Sequence, residues 1–150
     1  MPKTLGGEVS ALFELVHTMS DWYDGPIGGV AVYRGRPHLY QAQWDTDTQQ
    51  FGPLFRLVPL DDATRDLAIE DWEIWLRWDA AFKAGATDVS THPALPAERA
   101  RHEELQAQLA TRLIIDSARA FVMSGEFRWT QRPRGWPLVE VRWYDPAQHS

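Results

Sequence analysis

Two aspartates offer the first candidates for chemistry. Asp71 and Asp79 fall on one expected helix, yet neither lies on its solvated stripe. On a helical wheel Asp71 projects between Trp78 and Phe82, and Asp79 between Trp72 and Trp75. A carboxylate in apolar surroundings is costly unless paired. Each should therefore have a donor: an indole N–H, a backbone N–H or an Arg from the C-terminal strands. The sharper alternative is an acid/base residue with a raised pKa at the floor of a pocket. His38 is the imidazole that such a site would use as general base.

His38 also belongs to a second constellation. On an expected strand, His38, Tyr40, Ala42 and Trp44 share one face. That face could form an aromatic recognition surface, or it could pack on the Trp-rich helix with His38 bonded inside. A third constellation is the loop Asp21-Trp22-Tyr23-Asp24, which runs into Gly25-Pro26. Aromatics in an ordered loop make good anchors, and the acids could meet Arg or Lys across an interface. The alternative is an Asx-turn with both rings tucked inward. A fourth is the Arg/Trp alternation Arg128-Trp129, Arg132, Arg134, Trp136 and Arg142-Trp143. Basic residues between aromatics can bind single strands of nucleic acid. Strand alternation gives a simpler account, with Glu126, Arg128, Glu140 and Arg142 as cross-strand charge pairs.

Absent motifs narrow the chemistry. There is no Cys, so there is no thiolate nucleophile, disulfide or Cys-ligated metal. The His residues 17, 38, 92, 102 and 149 show no HExxH, HxH or HxxxH spacing. His102-Glu103-Glu104 reads as a solvated helix face. Asp45-x-Asp47 fails as a calcium loop, because its sixth position is Gln50 and its twelfth Arg56. No P-loop, GxGxxG or GxSxG motif is present. No cofactor and no metal are expected.

The elements that must position these residues follow from periodicity and turn chemistry. Val9, Leu12, Phe13 and Val16 predict a short helix from Glu8 to about Met19, after a disordered start at 1–7. Val30–Tyr33 and Pro37–Trp44 predict a hairpin through Arg34-Gly35-Arg36. Leu54–Val58 predicts a third strand. Asp61 or Asp62 caps a long helix to about Ala84, with Gly85 after it. Asp66, Glu70, Glu73 and Arg77 form its wet stripe, and Leu67, Trp72, Ile74, Trp75, Trp78 and Phe82 cover most of the rest.

Pro96 opens a second helix running to about Leu113, with Leu105, Leu109 and Leu113 as its apolar seam and Arg99–Glu103 as an exposed pair. Ile114–Gly125 is ambiguous; Asp116 or Ser117 could cap a third short helix. Glu126–Gln131 and Leu138–Tyr144 predict two more strands. The expected order is α-βββ-αα-ββ: one α+β domain over 8–150, with an antiparallel sheet of about five short strands. An open sheet and a small SH3-like barrel with a helical insertion both fit this pattern.

Composition bounds the function. The chain has 150 residues, eight of them Trp, and a formal charge of -6. The charge is uneven, net -8 over residues 1–118 and +2 over 119–150. Acidity argues against nucleic-acid binding and favours a partner with a basic surface. No apolar run approaches the roughly 20 residues of a membrane helix, and no signal peptide is read, so a cytoplasmic protein is expected.

The segments DWYDGPIGGVA, RGRPHLYQAQWD, LAIEDWEIWLRWDAAF and THPALPAERARHEEL, taken together, resemble a group of small uncharacterised bacterial proteins. That resemblance implies a bacterial origin and assigns no activity. The leading expectation is a non-catalytic protein-binding module of immunity or inhibitor type. Its binding residues would be Asp21, Trp22, Tyr23, Asp24, His38, Tyr40 and Trp44. The alternative is a small hydrolase-like enzyme using Asp71 or Asp79 with His38. The third class is a structural subunit that buries its Trp-rich helix in a homo-oligomer.

Overall fold

The hairpin turn at Arg34-Gly35 shows how local chemistry sets this fold. Both residues take positive φ, 52° and 78°, as a two-residue turn between twisted strands demands. The turn fixes the register of β2 (Gly28–Tyr33) on β3 (Arg36–Asp45), with Tyr33 opposite Arg36. The Glu14 carboxylate covers the tip, accepting from the backbone N–H groups of Arg34 and Gly35 at 3.0 Å each. The computed structural model describes residues 12–19 and 26–148.

The remaining strands are β1 (Glu14–Leu15), β4 (Gln50–Pro59), β5 (Phe121–Thr130) and β6 (Leu138–Tyr144). All pairs are antiparallel, in the order β1-β6-β5-β4-β3-β2. The sheet curls until its ends meet. Val16 bridges to Ala31, and the N–H groups of His17 and Thr18 both donate to the Val30 carbonyl, at 2.8 and 3.1 Å. The result is an α+β architecture with a nearly closed six-stranded barrel. Gly29 permits the closure: at φ +148° it lies so near the Thr18 carbonyl that a Cβ would stand 2.2 Å from its oxygen.

Inside the barrel, Val16, Ala31, Tyr40, Phe55, Leu57, Val139, Val141 and Trp143 form the main core. The Trp143 indole N–H donates across it to the Val32 carbonyl at 3.0 Å. Burying each of the larger apolar side chains contributes roughly 1.5–3 kcal/mol, the dominant stabilisation here.

Two helices cover the outer face of β2. Helix α1 (Asp62–Lys83) starts where Asp61 accepts from the Thr64 N–H at 2.7 Å, a cap that contributes about 1 kcal/mol. Gly85 follows its end at φ +76°. Helix α2 (Arg99–Leu109) follows a 3₁₀ turn at Pro96–Glu98. Val30 packs with Ala68 and Leu109, while Ile74, Ala94 and Leu105 form a second cluster. The expected Leu seam of α2 is therefore the surface that meets α1.

The structure corrects several expectations. Within residues 12–19 there is no helix; the segment is β1 and the bridge that closes the barrel, so pairing with β6 and β2 overrides the helical spacing. The earlier part of that expected helix, and the expected disordered start, lie outside the described residues. No helix forms within 114–125. A turn at 117–119 leads straight into β5, five residues earlier than expected, because Phe121–Ser124 pair with β4. The second helix is shorter than Pro96–Leu113. Arg99 does not pair with Glu103 but donates to the Thr91 carbonyl at 2.7 Å. The wet stripe of α1 also does more than face water: Glu70 pairs with Arg101 at 2.6 Å, and Arg77 with Glu98.

Candidate functional site

The shared face of β3 does not form a recognition surface. His38 and Tyr40 point into the barrel and are buried. The His38 ring stands edge-on to Tyr33 and Phe121, with Nδ1 3.0 Å from the Arg36 carbonyl. Burial lowers its pKa, outweighing the raising effect of that carbonyl. The Tyr40 hydroxyl donates to the Thr18 carbonyl at 3.1 Å, and burial raises its pKa. The face packs against the barrel interior rather than on the helix, and the helix takes the opposite face. Neither residue is placed to touch a partner.

Trp44 breaks away from that face. The β3–β4 register shifts between Ala42 and Trp44, and this bulge turns the indole outward. Trp44 is 50% exposed and meets Phe51, 45% exposed, with ring centroids 5.0 Å apart at 75°. The two rings cap the tip of the β3–β4 hairpin. A cavity of about 550 Å³ opens beside them, lined by Trp44, Asp45, Pro53, Leu54, Ser124 and Pro146 among others. Ser124 is fully buried and its hydroxyl has no hydrogen-bond partner among the described residues. A second cavity, of about 330 Å³, lies across the Gly52-Pro53 segment and reaches Pro26 and Ile27.

Carboxylates surround this tip. Asp45 accepts from the Asp47 N–H at 2.9 Å, which shapes the turn. Asp47 is exposed. Asp145 precedes Pro146 and accepts from the Ala147 N–H at 2.8 Å. None of the three forms an ion pair among the described residues, unlike Glu70, Glu98, Glu126 and Glu140. The tip therefore combines two exposed rings with negative charge that no described residue pairs.

Asp71 and Asp79 have protein donors. Asp71 takes the His102 ring Nδ1 and the Gln106 amide, each at 2.6 Å. Asp79 pairs with Lys83 at 2.8 Å, and Lys83 also lies 5.5 Å over the Trp136 ring. The expectation of a donor holds, but the donors are His, Gln and Lys rather than indole, backbone or a strand Arg. His102 is correspondingly not a solvated residue: it faces α1 with 15% of its side chain exposed. His and carboxylate together are the chemical unit of a general base. Here they clip α2 to α1, and neither lines the cavities at the barrel tip or at Trp136. His38 makes no hydrogen bond to Asp71 or Asp79; its partner is Arg36.

The Arg/Trp segment divides in two. Arg128 pairs with Glu140 at 2.9 Å and Arg142 with Glu126, the cross-strand pairs expected. Both guanidiniums also lie over the Phe13 ring, at 3.9 and 5.4 Å. Trp136, by contrast, leaves the sheet and stands edge-on to Trp72 and Trp75, at 5.7 and 5.4 Å. Among the described residues no group of three or more His, Asp or Glu could hold a metal ion. No helix there is long and apolar enough to cross a membrane. Asp21, Trp22, Tyr23 and Asp24 lie outside the described residues.

No family model, curated protein or solved structure matches this chain.

Proposed function

We propose that this protein is a non-catalytic binding module that engages a more basic protein, in the manner of an immunity or inhibitor protein. One observation carries the reading. The Trp44–Phe51 pair is exposed at a hairpin tip, beside a cavity of about 550 Å³ and amid Asp45, Asp47 and Asp145. Exposed aromatics next to a pocket are what binding hot spots are made of. Unpaired carboxylates around them select a partner with Arg or Lys and raise its association rate. An Arg suits the site best, because its guanidinium stacks on an indole while its fork meets a carboxylate. The net charge of -6 supports the same sign of partner. The sequence-predicted anchors Asp21 to Asp24 belong to the same proposal, acting in the cytoplasm.

The enzymatic alternative draws little support. Its carboxylates are occupied by His102, Gln106 and Lys83, and its imidazole is inside the barrel. The test is affinity capture from the native lysate at low and high salt, with light scattering of the eluted complex. A single basic protein at equal stoichiometry, released by salt, is the expected result. A monomer that retains nothing would overturn the reading.

A further inference from the structure

A second site lies on the opposite chemistry, in a cavity of about 270 Å³ between β1, α1 and the loop from Gln131 to Pro137. Its walls include Val16, Met19, Ile69, Leu76, Pro137 and Val139. Trp72 and Trp136 form an aromatic corner in it, their rings 5.7 Å apart and nearly perpendicular. Trp75 stacks on Trp72 at 5.1 Å and backs that corner. The cavity is thus apolar with a rigid aromatic side, which suits a flat ring.

Two guanidiniums border it, Arg132 and Arg134. Several other arginines are engaged: Arg65, Arg77, Arg101, Arg128 and Arg142 with carboxylates, and Arg99 with carbonyls. Arg132 and Arg134 make neither kind of contact among the described residues. In a chain with 21 acids and 15 bases, two cations that no described residue neutralises line one aromatic cavity. One acid also faces the cavity, Glu73, whose charge is shared with Arg77 one turn along the helix. His17 lines it too, with its pKa lowered by burial and by Arg65.

We infer that the Trp72–Trp136 cavity binds a small aromatic monocarboxylate, its ring against the two indoles and its carboxylate on Arg132 and Arg134. Size argues for one ring system and one small anion, since the volume falls just below the usual range of about 300–1,000 Å³ for ligand sites. Charge argues for a carboxylate over a phosphate ester, because Glu73 repels a dianion more than a monoanion. The forked guanidinium matches a carboxylate with two parallel hydrogen bonds. This site is independent of the barrel tip, and its failure would leave the protein-binding proposal intact.

Calorimetric titration with indole-3-acetate tests it, with indole-3-ethanol and inorganic phosphate as comparisons. Indole-3-acetate should bind with Kd below about 1 mM. Indole-3-ethanol, which keeps the ring and lacks the charge, should bind at least about tenfold more weakly, as should phosphate. The Arg132→Ala/Arg134→Ala pair should lose the same factor without a change in thermal melting, since both side chains are exposed. The Arg132→Lys/Arg134→Lys pair should recover part of it. Equal binding of the acid and the alcohol, undiminished binding by the alanine pair, or no binding of indole-3-acetate would each overturn the inference.

Discussion

The Tyr40 hydroxyl donates to the Thr18 carbonyl at 3.1 Å, joining residues 22 positions apart inside the barrel. It links the middle of β3 to the segment that closes the sheet. Thr18 also accepts from the Val30 N–H through its own hydroxyl at 3.0 Å. The closure therefore rests on a few buried polar contacts around residues 17–18 and 29–30. Tyr40→Phe should cost about 1–3 kcal/mol, because it removes a donor from a buried carbonyl. Urea denaturation of the two proteins measures this; equal midpoints would show that the bond contributes nothing.

Gly29→Ala should be worse. A Cβ there meets backbone rather than a flexible side chain, 2.2 Å from the Thr18 oxygen, and the φ of +148° is unfavourable for an L residue. Strain and overpacking each cost about 1–3 kcal/mol. Together they should take a large part of a total stability of order 5–15 kcal/mol. A variant that melts within a degree or two of the parent would mean that the barrel closure adapts freely.

The clip between the helices gives a third prediction. Asp71→Ala leaves the His102 ring and the Gln106 amide without their shared acceptor at a half-buried position. The expected loss is about 1–3 kcal/mol. Asp71→Asn keeps an acceptor and should lose less. Amide exchange in α2 should quicken in the alanine variant, and unchanged protection there would contradict a clip.

Much of this was readable in sequence because it is local. The Arg34-Gly35 turn, the Asp61 cap, the Gly85 stop and the Leu105/Leu109 seam each depend on residues within a turn or two of one another. What was missed is non-local. Glu14–Leu15 became a strand because β6 and β2 lie beside it, which no helical wheel records. Trp44 left the face of His38 and Tyr40 through a bulge set by pairing with β4. His102 found Asp71 across 31 residues. The surplus of Trp had the same limit. Trp143 is core, Trp78 bonds Thr91 at 2.8 Å, and only packing distinguishes these from exposed Trp44.

Acid should weaken the fold in two stages. Burial lowers the pKa values of His38 and His17, so the folded state stays neutral where the unfolded chain, near 6.5, takes up protons. Protons then favour unfolding, and stability should fall as pH drops below about 6.5. Above that pH these two residues add no dependence. A second loss comes below about 4.5, where the Glu70 carboxylate, held low by the Arg101 hydrogen bonds, is protonated first in the unfolded chain. Denaturation midpoints from pH 4 to 8 trace this, and His38→Phe should flatten the upper stage. A profile that is level through 6.5 in the parent would show that these rings are not desolvated.

The central claim concerns the barrel tip. Its most direct test is quantitative capture by the parent and by Trp44→Ala/Phe51→Ala, run side by side from the native lysate. Both rings are about half exposed, so the variant should keep its melting temperature within a few degrees. The account requires that the basic partner be retained by the parent and weakened by more than about 2 kcal/mol in the variant, the hot-spot level. Equal retention by a folded variant would move the interface elsewhere and contradict the account.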